Sequence, residues 1–581
     1  MHICRVQIKN YRNLKSVDVK LGEIVTLIGE NNSGKSNFLR AIALPLSAED
    51  NSISKHLSWY DLNREAKDEY YKFLRDNRQA IISGAIDLDK FISHLPTVSI
   101  QLDVMPSEIE HYDVAHIRYD DGEEWVGGIL YRFYPGKKEK ILEQVKAILK
   151  AENANKNIQM SLLPVELYTY SITIPAKGSR IPYEILSRFK AVVIPAERDN
   201  FASSAERMGS RALSEILQKG LSPDAQVKIE KKYSDFFDTI KSEGKLDAVL
   251  NWQDYSDIPN AKDFFDEISV LPNMPQIGSI LGSVRLGYDD DNMFMQGLGH
   301  RNLILMSVLL NSYMQSAKDL SLRVVTVEEP EAHLCNSNIL LLASLFNAFS
   351  KKSKRTQIIY STHNAEFVNK VGLGKVIVLC RGNVLNLGAE LETEELDYLA
   401  ANPNTDIFKL LYSRKAILVE GITEELLIKS YLQTRPDLNE IKVISFHKGF
   451  RKIMKIWKAA NVGLRNKLGI VRDYDNEPNA QKEHENEADN RIIVCTTEKR
   501  TLEPEIVNSG ENYNILKKNY GRVYGWENMT PEELSDDWRE KKSDVMLTIC
   551  HDLISGNLSG FSMPKHIQEI IDFMQGDNHA D

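Results

Sequence analysis

The spacing of apolar and polar positions changes several times along the chain, and the changes divide it. Residues 1–14, MHICRVQIKNYRNL, alternate with the period of two that a half-buried strand shows. Residues 21–46, LGEIVTLIGENNSGKSNFLRAIALPL, begin with a continuous apolar run, pass through a glycine-rich loop and end with apolar residues at helical spacing. Further strand runs fall at VSIQLDV, ILYRFY, VELYTYSI and AVVIPAERD, up to about residue 200. From 201 to 275 the pattern turns helical and charged, as in SRALSEILQKGL and AQVKIEKKYSDFFDTI, which predicts a helical insertion. Strands resume in GSVRLGYDDDNMFMQGLGH, RVVTVEEPEAHL and TQIIYSTHNAEF, and again in YSRKAILVEGITEEL and LGIVRDYD. The whole predicts an α/β chain of several units.

Chemistry collects where those strands end. Gly29, Gly34, Lys35 and Ser36 fit a phosphate-binding loop: the glycines let backbone N–H groups wrap phosphates at a helix N-terminus, Lys35 reaches the β- and γ-phosphates, and the Ser36 hydroxyl can bind magnesium. The preceding strand and following helix supply the context this motif needs. The strand VVTV runs into Glu328, Glu329 and Glu331 and resembles a Walker B segment, the first acid holding magnesium and the second orienting the attacking water. TQIIY ends in Ser361, Thr362 and His363, where the histidine could contact the γ-phosphate or its water. Late in the chain, one apolar strand delivers Glu420 and, one helical turn on, Glu424, while a second ends in Asp473 and Asp475, which a strand period of two points to one side. Each pair alone is ordinary, but together they outline a hard-metal cage.

Composition narrows the reading. The 581 residues suggest three or four domains. No stretch approaches the roughly 18 apolar residues of a membrane helix, and the alternating start is unlike a signal peptide, so no membrane association and a cytoplasmic location are expected. Cys4, Cys335, Cys380, Cys495 and Cys550 form neither a CxxC pair nor a zinc set and are expected to be core thiols. A net charge of −10 means that any nucleic-acid contact must come from local basic surface or metal. FHKGFRKIMKIWK is such a surface: as a helix it would set Arg451, Lys455 and Lys458 on one face, with Lys448 and Lys452 nearby, and Phe450, Ile453 and Trp457 on the buried one. An ordinary amphipathic helix is the equal alternative.

Taken together, GENNSGKS, QGLGHRN, VEEPEAHL and YSTHNAEF resemble the ABC-type ATPase of SMC and RecF relatives, and ILVEGITEELL with VRDYD resembles a Toprim domain. In this order the two are similar to the OLD (overcoming lysogenization defect) family of nucleases, which includes the Gabija nuclease subunit and some retron-associated effectors. The resemblance implies an ABC/SMC-like P-loop ATPase at 1–200 and 276–405, with 201–275 a possible dimerisation region, and a C-terminal α/β Toprim domain at 406–581. It assigns nucleotide binding to Gly29, Asn32, Gly34, Lys35, Ser36, Asn37, Glu328 and His363, and catalysis of hydrolysis to Glu329. It assigns metal binding to Glu420, Glu424, Asp473, Asp475 and Glu503, with Glu420 and Asp473 catalytic, and a late basic residue to Lys542, or alternatively Lys541. The segment Gln296, Gly297, Leu298 and Gly299 lacks a clean Ser-Gly-Gly signature, and Glu328 stands where most ABC ATPases have Asp.

The implied activity is an ATP-regulated DNA endonuclease using ATP and magnesium or manganese, in anti-phage defence, as a homodimer or higher oligomer. A helicase, or a retron reverse transcriptase with its nucleic acid, could work beside it. Tyr474 shows no sign of being a nucleophile. The alternative is a non-catalytic ATP-driven DNA clamp or scaffold, which would not need four acids at those strand ends.

Overall fold

A computed structural model describes residues 1–48, 54–106, 111–120, 125–151, 159–196, 208–244, 257–259, 262–263, 276–288, 291–315, 320–353, 355–400, 407–411, 413–446, 449–462, 464–474 and 478–576. Three larger sheets carry the architecture. The first is antiparallel, in the order β2 (Leu14–Lys20), β1 (His2–Tyr11), β5 (Val98–Met105), β7 (Trp125–Pro135) and β6 (Arg118–Asp120), with β8 (Tyr168–Thr173) also on β7. Its strands alternate buried and exposed positions, as in LKSVDVK, because one face packs on the core and the other meets water.

The second sheet is the opposite case. Its order is β15 (Asn383–Asn386), β14 (Val376–Cys380), β3 (Ile24–Ile28), β13 (Thr356–Ser361), β12 (Leu322–Glu328), β9 (Phe189–Ile194) and β4 (Ser47–Ala48), parallel except for β15. IVTLI, TQIIYS and VIVLC are buried at every position, as expected of strands covered on both faces. The third sheet, β17 (Lys442–Ser445), β16 (Lys415–Val419), β18 (Lys467–Arg472) and β19 (Ile492–Thr496), is wholly parallel. Ile417, Val419 and Val471 face the helices Ile422–Gln433, Pro531–Ile554 and Lys565–Gln575. Ala416, Leu418 and Ile470 face the helix Phe450–Ala460 and strands β3 and β14 of the second sheet, so one apolar core joins the third sheet to the second.

Some expectations fail for local reasons. VELYTYSI is not one strand: Val165–Leu167 follows Pro164 as a 3-10 turn, and β8 begins only at Tyr168. Among its described residues GSVRLGYDDDNMFMQGLGH yields the two-residue strands β10 (Gly287–Tyr288) and β11 (Asp291–Asn292), too short to bury a strand face. Cys335 is exposed at the N-cap of helix Asn336–Lys352, unlike buried Cys380, Cys495 and Cys550. The 201–275 segment carries the helices Met208–Gly220 and Pro223–Glu243. Among the described residues no helix is long and apolar enough to cross a membrane.

One buried side chain makes the C-terminal core sensitive to acid. His566 is 6% exposed, both ring nitrogens are buried without a hydrogen-bond partner, and burial pushes the imidazole down to about 4. The unfolded chain, titrating at the ordinary 6.5, takes up its proton first. Stability is therefore complete above that value and drains as pH falls toward 4, by about 3 kcal/mol in all. His566→Leu is expected to flatten the fall in melting temperature between about pH 7.5 and about pH 5; an unchanged slope would refute this.

Candidate functional site

Two sites form at the carboxyl ends of parallel strands, where helix N-termini and turns leave backbone groups free to meet ligands. At the first, β3 turns into the loop 29–34 and the helix Lys35–Ala43. Gly29 is packed so closely under the carbonyl of Leu379 that a Cβ would collide with it, and Gly34 has φ +112° with a Cβ position 2.7 Å from Asn13 Nδ2. Lys35 is 7% exposed, and its Nζ donates to the carbonyls of Gly29 (2.7 Å) and Glu30 (2.9 Å). Burial lowers its ammonium to about 8, opposed by the charges of Glu329, Glu331, Glu30 and Glu328. A cation held against loop carbonyls, with nearby carboxylates, is ready to exchange those acceptors for phosphate oxygens.

Ser36 and Asn32 are exposed at the loop, with Asn32 at φ +64°. Asn37 is turned elsewhere: its Oδ1 accepts from Arg12 Nη1 (2.9 Å) and its Nδ2 donates to Asn13 Oδ1 (2.8 Å). Its amide thus fastens the β1–β2 turn to the helix. The same turn brings in Arg12, which pairs with Asp61 at 2.8 Å. Neither Arg12 nor Asn13 was legible as part of this site, since KNYRNL carries no phosphate-loop pattern. The only hint is a turn that needs positive φ at Asn10 and Arg12.

The acids and the histidine arrive from neighbouring strands. β13 lies between β3 and β12, so the ends of all three come together. Glu328 closes β12, and Glu329 follows at φ +42°, its N–H donating to the Ser361 carbonyl at 3.0 Å. His363 Nε2 donates to Glu329 Oε1 at 3.0 Å. Burial and the charge of Lys35 lower the imidazole, against the pull of Glu329, so the neutral ring is the form that makes this bond at neutral pH. Gly299 abuts the loop after these acids, a Cβ there lying 2.5 Å from the His333 carbonyl, and Asn302 Nδ2 donates to the carbonyls of Pro330 (3.0 Å) and Ala332 (2.9 Å).

At the second site the sheet order decides the geometry. β17 follows β16 in sequence on one side and β18 lies on the other, so the crevice between β16 and β18 is a topological switch point, the usual ligand position in such sheets. Val419 is in register with Val471, and just beyond the two strands Glu420 Oε2 accepts from the Asp473 N–H at 3.1 Å. Glu424 is 5% exposed in the first turn of helix Ile422–Gln433, and Glu503 is 3% exposed in helix Leu502–Val507 with Oε2 unpartnered. Burial raises the Glu424 carboxyl, and the charges of Glu503 and Glu420 raise it further. Mutual repulsion among these carboxylates is what a bound cation would relieve.

Other assignments stand differently. Among the described residues no three acids, histidines or cysteines meet metal-holding geometry, and Asp475 lies outside those residues. The Lys542 side chain also lies outside them, on helix Pro531–Ile554. The alternative, Lys541, is drawn to Asp537 at 2.7 Å, one turn earlier. Tyr474 is tied by its N–H to Thr497 Oγ1 at 2.9 Å.

The basic segment is a helix, Phe450–Ala460, with Phe450, Ile453 and Trp457 buried as expected. Its cations are partly spent. Arg451 pairs with Glu483 at 2.7 Å, and Lys458 lies 3.7 Å from Glu487 and 3.8 Å from Asp489. Lys452 and Lys455 are exposed, whereas Lys448 is outside the described residues. Sequence alone overstated this face because the neutralising acids come from a segment about thirty residues away.

Comparison with known proteins places the chain in a family. The AAA ATPase domain pattern matches residues 1–368, and the overcoming lysogenization defect protein-like Toprim domain matches residues 411–475. The Old nuclease of Escherichia phage P2 is 22% identical over 454 residues, covering 73% of this chain and 68% of that protein. Endonuclease GajA of Bacillus cereus (strain HuB5-5) is 27% identical over 189 residues, a stretch that spans 27% of each chain. Among solved structures, an Smc head bound to the C-winged helix domain of ScpA covers 67% of this chain and 100% of its own at 15% identity and a TM-score of 0.32. The SMC head domain from Thermotoga maritima covers 65% and 94% at 13% identity and 0.27. With an AAA ATPase pattern over more than half its length and an OLD-like Toprim domain joined to it, the chain belongs to the OLD family of ATPase–Toprim proteins.

Proposed function

We propose that this chain is an ATP-regulated, divalent-metal-dependent DNA endonuclease that acts in anti-phage defence as a homodimer or larger assembly. The observation that carries the reading is the junction of Glu420 with Asp473 at the β16–β18 switch point, with buried Glu424 and Glu503 beside it. A purely DNA-holding surface gains nothing from buried carboxylates, which repel a phosphodiester unless a cation intervenes. Glu420, Glu424, Asp473, Asp475 and Glu503 would hold magnesium or manganese, which supplies an activated water and stabilises the leaving oxygen. The Asp473 N–H donates to Glu420 Oε2 and holds that carboxylate at the strand end. Lys542 is the proposed cation for charge developing on the phosphate.

ATP would enter the loop at Gly29–Ser36, where Lys35 leaves the carbonyls it now meets and binds the β- and γ-phosphates. Ser36 and Glu328 would hold the accompanying magnesium. Glu329 would orient the attacking water, and His363 would hold Glu329 in place through the bond between them. The Gln296–Gly299 segment of a second copy would complete the nucleotide site, and 201–275 would supply further dimer contact. The match to two proteins named as nucleases supports this reading, as does the exposure of Lys452 and Lys455 toward incoming DNA.

Supercoiled plasmid nicking tests it. Asp473→Ala is expected to reduce metal-dependent cleavage on the order of a hundredfold or more, since Lewis-acid stabilisation supplies several kcal/mol of the barrier. Undiminished cleavage would sink the Toprim assignment, and no cleavage by the parent under any condition would favour a clamp or scaffold. Lys35→Ala is expected to weaken ATP binding by roughly tenfold to a hundredfold, the worth of a charge-assisted hydrogen bond, measured by titration calorimetry. Reversing both Lys452 and Lys455 to Glu is expected to lower DNA affinity and the salt slope, by about one for each phosphate no longer neutralised. An unchanged slope removes that helix from the DNA surface.

A further inference from the structure

Glu331, the third acid of the run that begins at Glu328, has no part in the roles assigned above, yet its hydrogen bonds reach the histidine. Its Oε1 accepts two of them, from Thr362 Oγ1 at 2.6 Å and from the His363 N–H at 3.0 Å. Thr362 Oγ1 in turn accepts from the Asn364 N–H at 3.0 Å, and Asn364 Oδ1 accepts from the Phe367 N–H at 2.9 Å, capping the helix Ala365–Val371. From Glu331 a chain of side-chain bonds therefore holds each residue of the turn Thr362–His363–Asn364. The Thr362 N–H also donates to the Leu27 carbonyl at 2.9 Å, tying the turn to the strand that leads into the phosphate loop. The other oxygen, Oε2, is buried without a partner, so this carboxylate sits where water cannot replace the bonds made by Oε1.

We infer that Glu331 is a positioning residue for ATP hydrolysis: it sets His363 in place so that its Nε2 meets Glu329 at 3.0 Å. The inference rests on the ATPase reading above. His363 lies in a turn after β13, between a strand and a short helix, and its ring is held by Glu329. Glu329 itself stands at φ +42°, a conformation that persists in non-glycine residues only where surrounding structure imposes it. Glu331, two residues on, anchors the opposite side of the same pair. Removing it frees the turn that carries the histidine, while Lys35 keeps its bonds to the Gly29 and Glu30 carbonyls and loses only the charge that Glu331 lends it.

The experiment compares Glu331→Ala, Glu331→Gln, His363→Ala and the double variant Glu331→Ala/His363→Ala, in the full chain. Glu331→Ala is expected to lower kcat for ATP hydrolysis on the order of tenfold or more, with ATP affinity within about twofold of the parent, as for an interaction that serves the transition state. Glu331→Gln keeps a neutral oxygen able to accept both bonds and is expected to restore most of the rate. The double variant is expected to be no slower than His363→Ala, because the two act as a unit. Multiplying losses, an inactive Gln variant or weakened ATP affinity would each overturn the inference.

A measurement independent of turnover separates this inference from the ATPase reading. Amide hydrogen exchange across 356–371 in the nucleotide-free protein is expected to accelerate in Glu331→Ala and to stay near the parent in Glu331→Gln. Unchanged exchange in the Ala variant overturns the positioning role even if hydrolysis is intact. Accelerated exchange in a chain that hydrolyses no ATP refutes the ATPase reading instead, leaving the anchor as a structural fact without the catalytic role.

Discussion

The turn between β14 and β15 is the constraint on which both sites depend, because it is clasped from two directions. On one side it supports the phosphate loop: the Leu379 carbonyl lies against Gly29, and the Gly382 N–H donates to the Ser33 carbonyl at 3.1 Å. Gly382 has φ +91° and presses on the Asn13 carbonyl, leaving no room for a side chain. On the other side it enters the C-terminal domain. Asn461 Oδ1 accepts from Cys380 Sγ at 3.6 Å and from Asn466 Nδ2 at 2.6 Å, and Asn383 Nδ2 donates to the Val462 carbonyl. Asn461 and Asn466 are 0% and 1% exposed, so these polar groups have their bonds here or not at all.

Around that turn the two domains share a core. Val376, Val378 and Leu385 pack with Leu418, Phe450 and Trp457, each buried aliphatic or aromatic side chain contributing roughly 1.5–3 kcal/mol. An interface of this kind is not a linker. The segment after Asn466 is β18, which ends at Arg472 just before Asp473, so the turn that supports the phosphate loop also bonds, through Cys380 and Asn461, to the residue that precedes this strand. Parallel strands make this economical: every strand end faces the same edge, and a few backbone bonds in register set the distances between side chains from distant parts of the chain.

Much of this was legible in one dimension. The apolar runs IVTLI, VVTV, QIIY, AILV and GIV had to be buried parallel strands, because no other short element hides so many apolar residues on both faces. The phosphate loop was readable because its chemistry is local: glycines, lysine and serine act within one turn of backbone. The same locality explains Glu420 with Glu424, and Asp473 just past the end of its strand. The antiparallel sheet formed by β1, β2 and β5 to β8 was not foreseen as a separate layer, since alternation marks a strand without naming its partner.

What the sequence by itself determined, then, is the identity of the elements and the acids and cations at their ends. Only the tertiary structure decided which of those groups meet. It joined Glu420 to Asp473 across 53 residues, spent Arg451 and Lys458 on nearby acids, turned Asn37 to Arg12 and Asn13, and brought Glu331 to Thr362 and His363. The physical reason is the range of the forces. Backbone propensity and apolar periodicity act over a few residues and are written along the chain, whereas hydrogen bonds and ion pairs depend on distances that exist only once the sheets have chosen their neighbours.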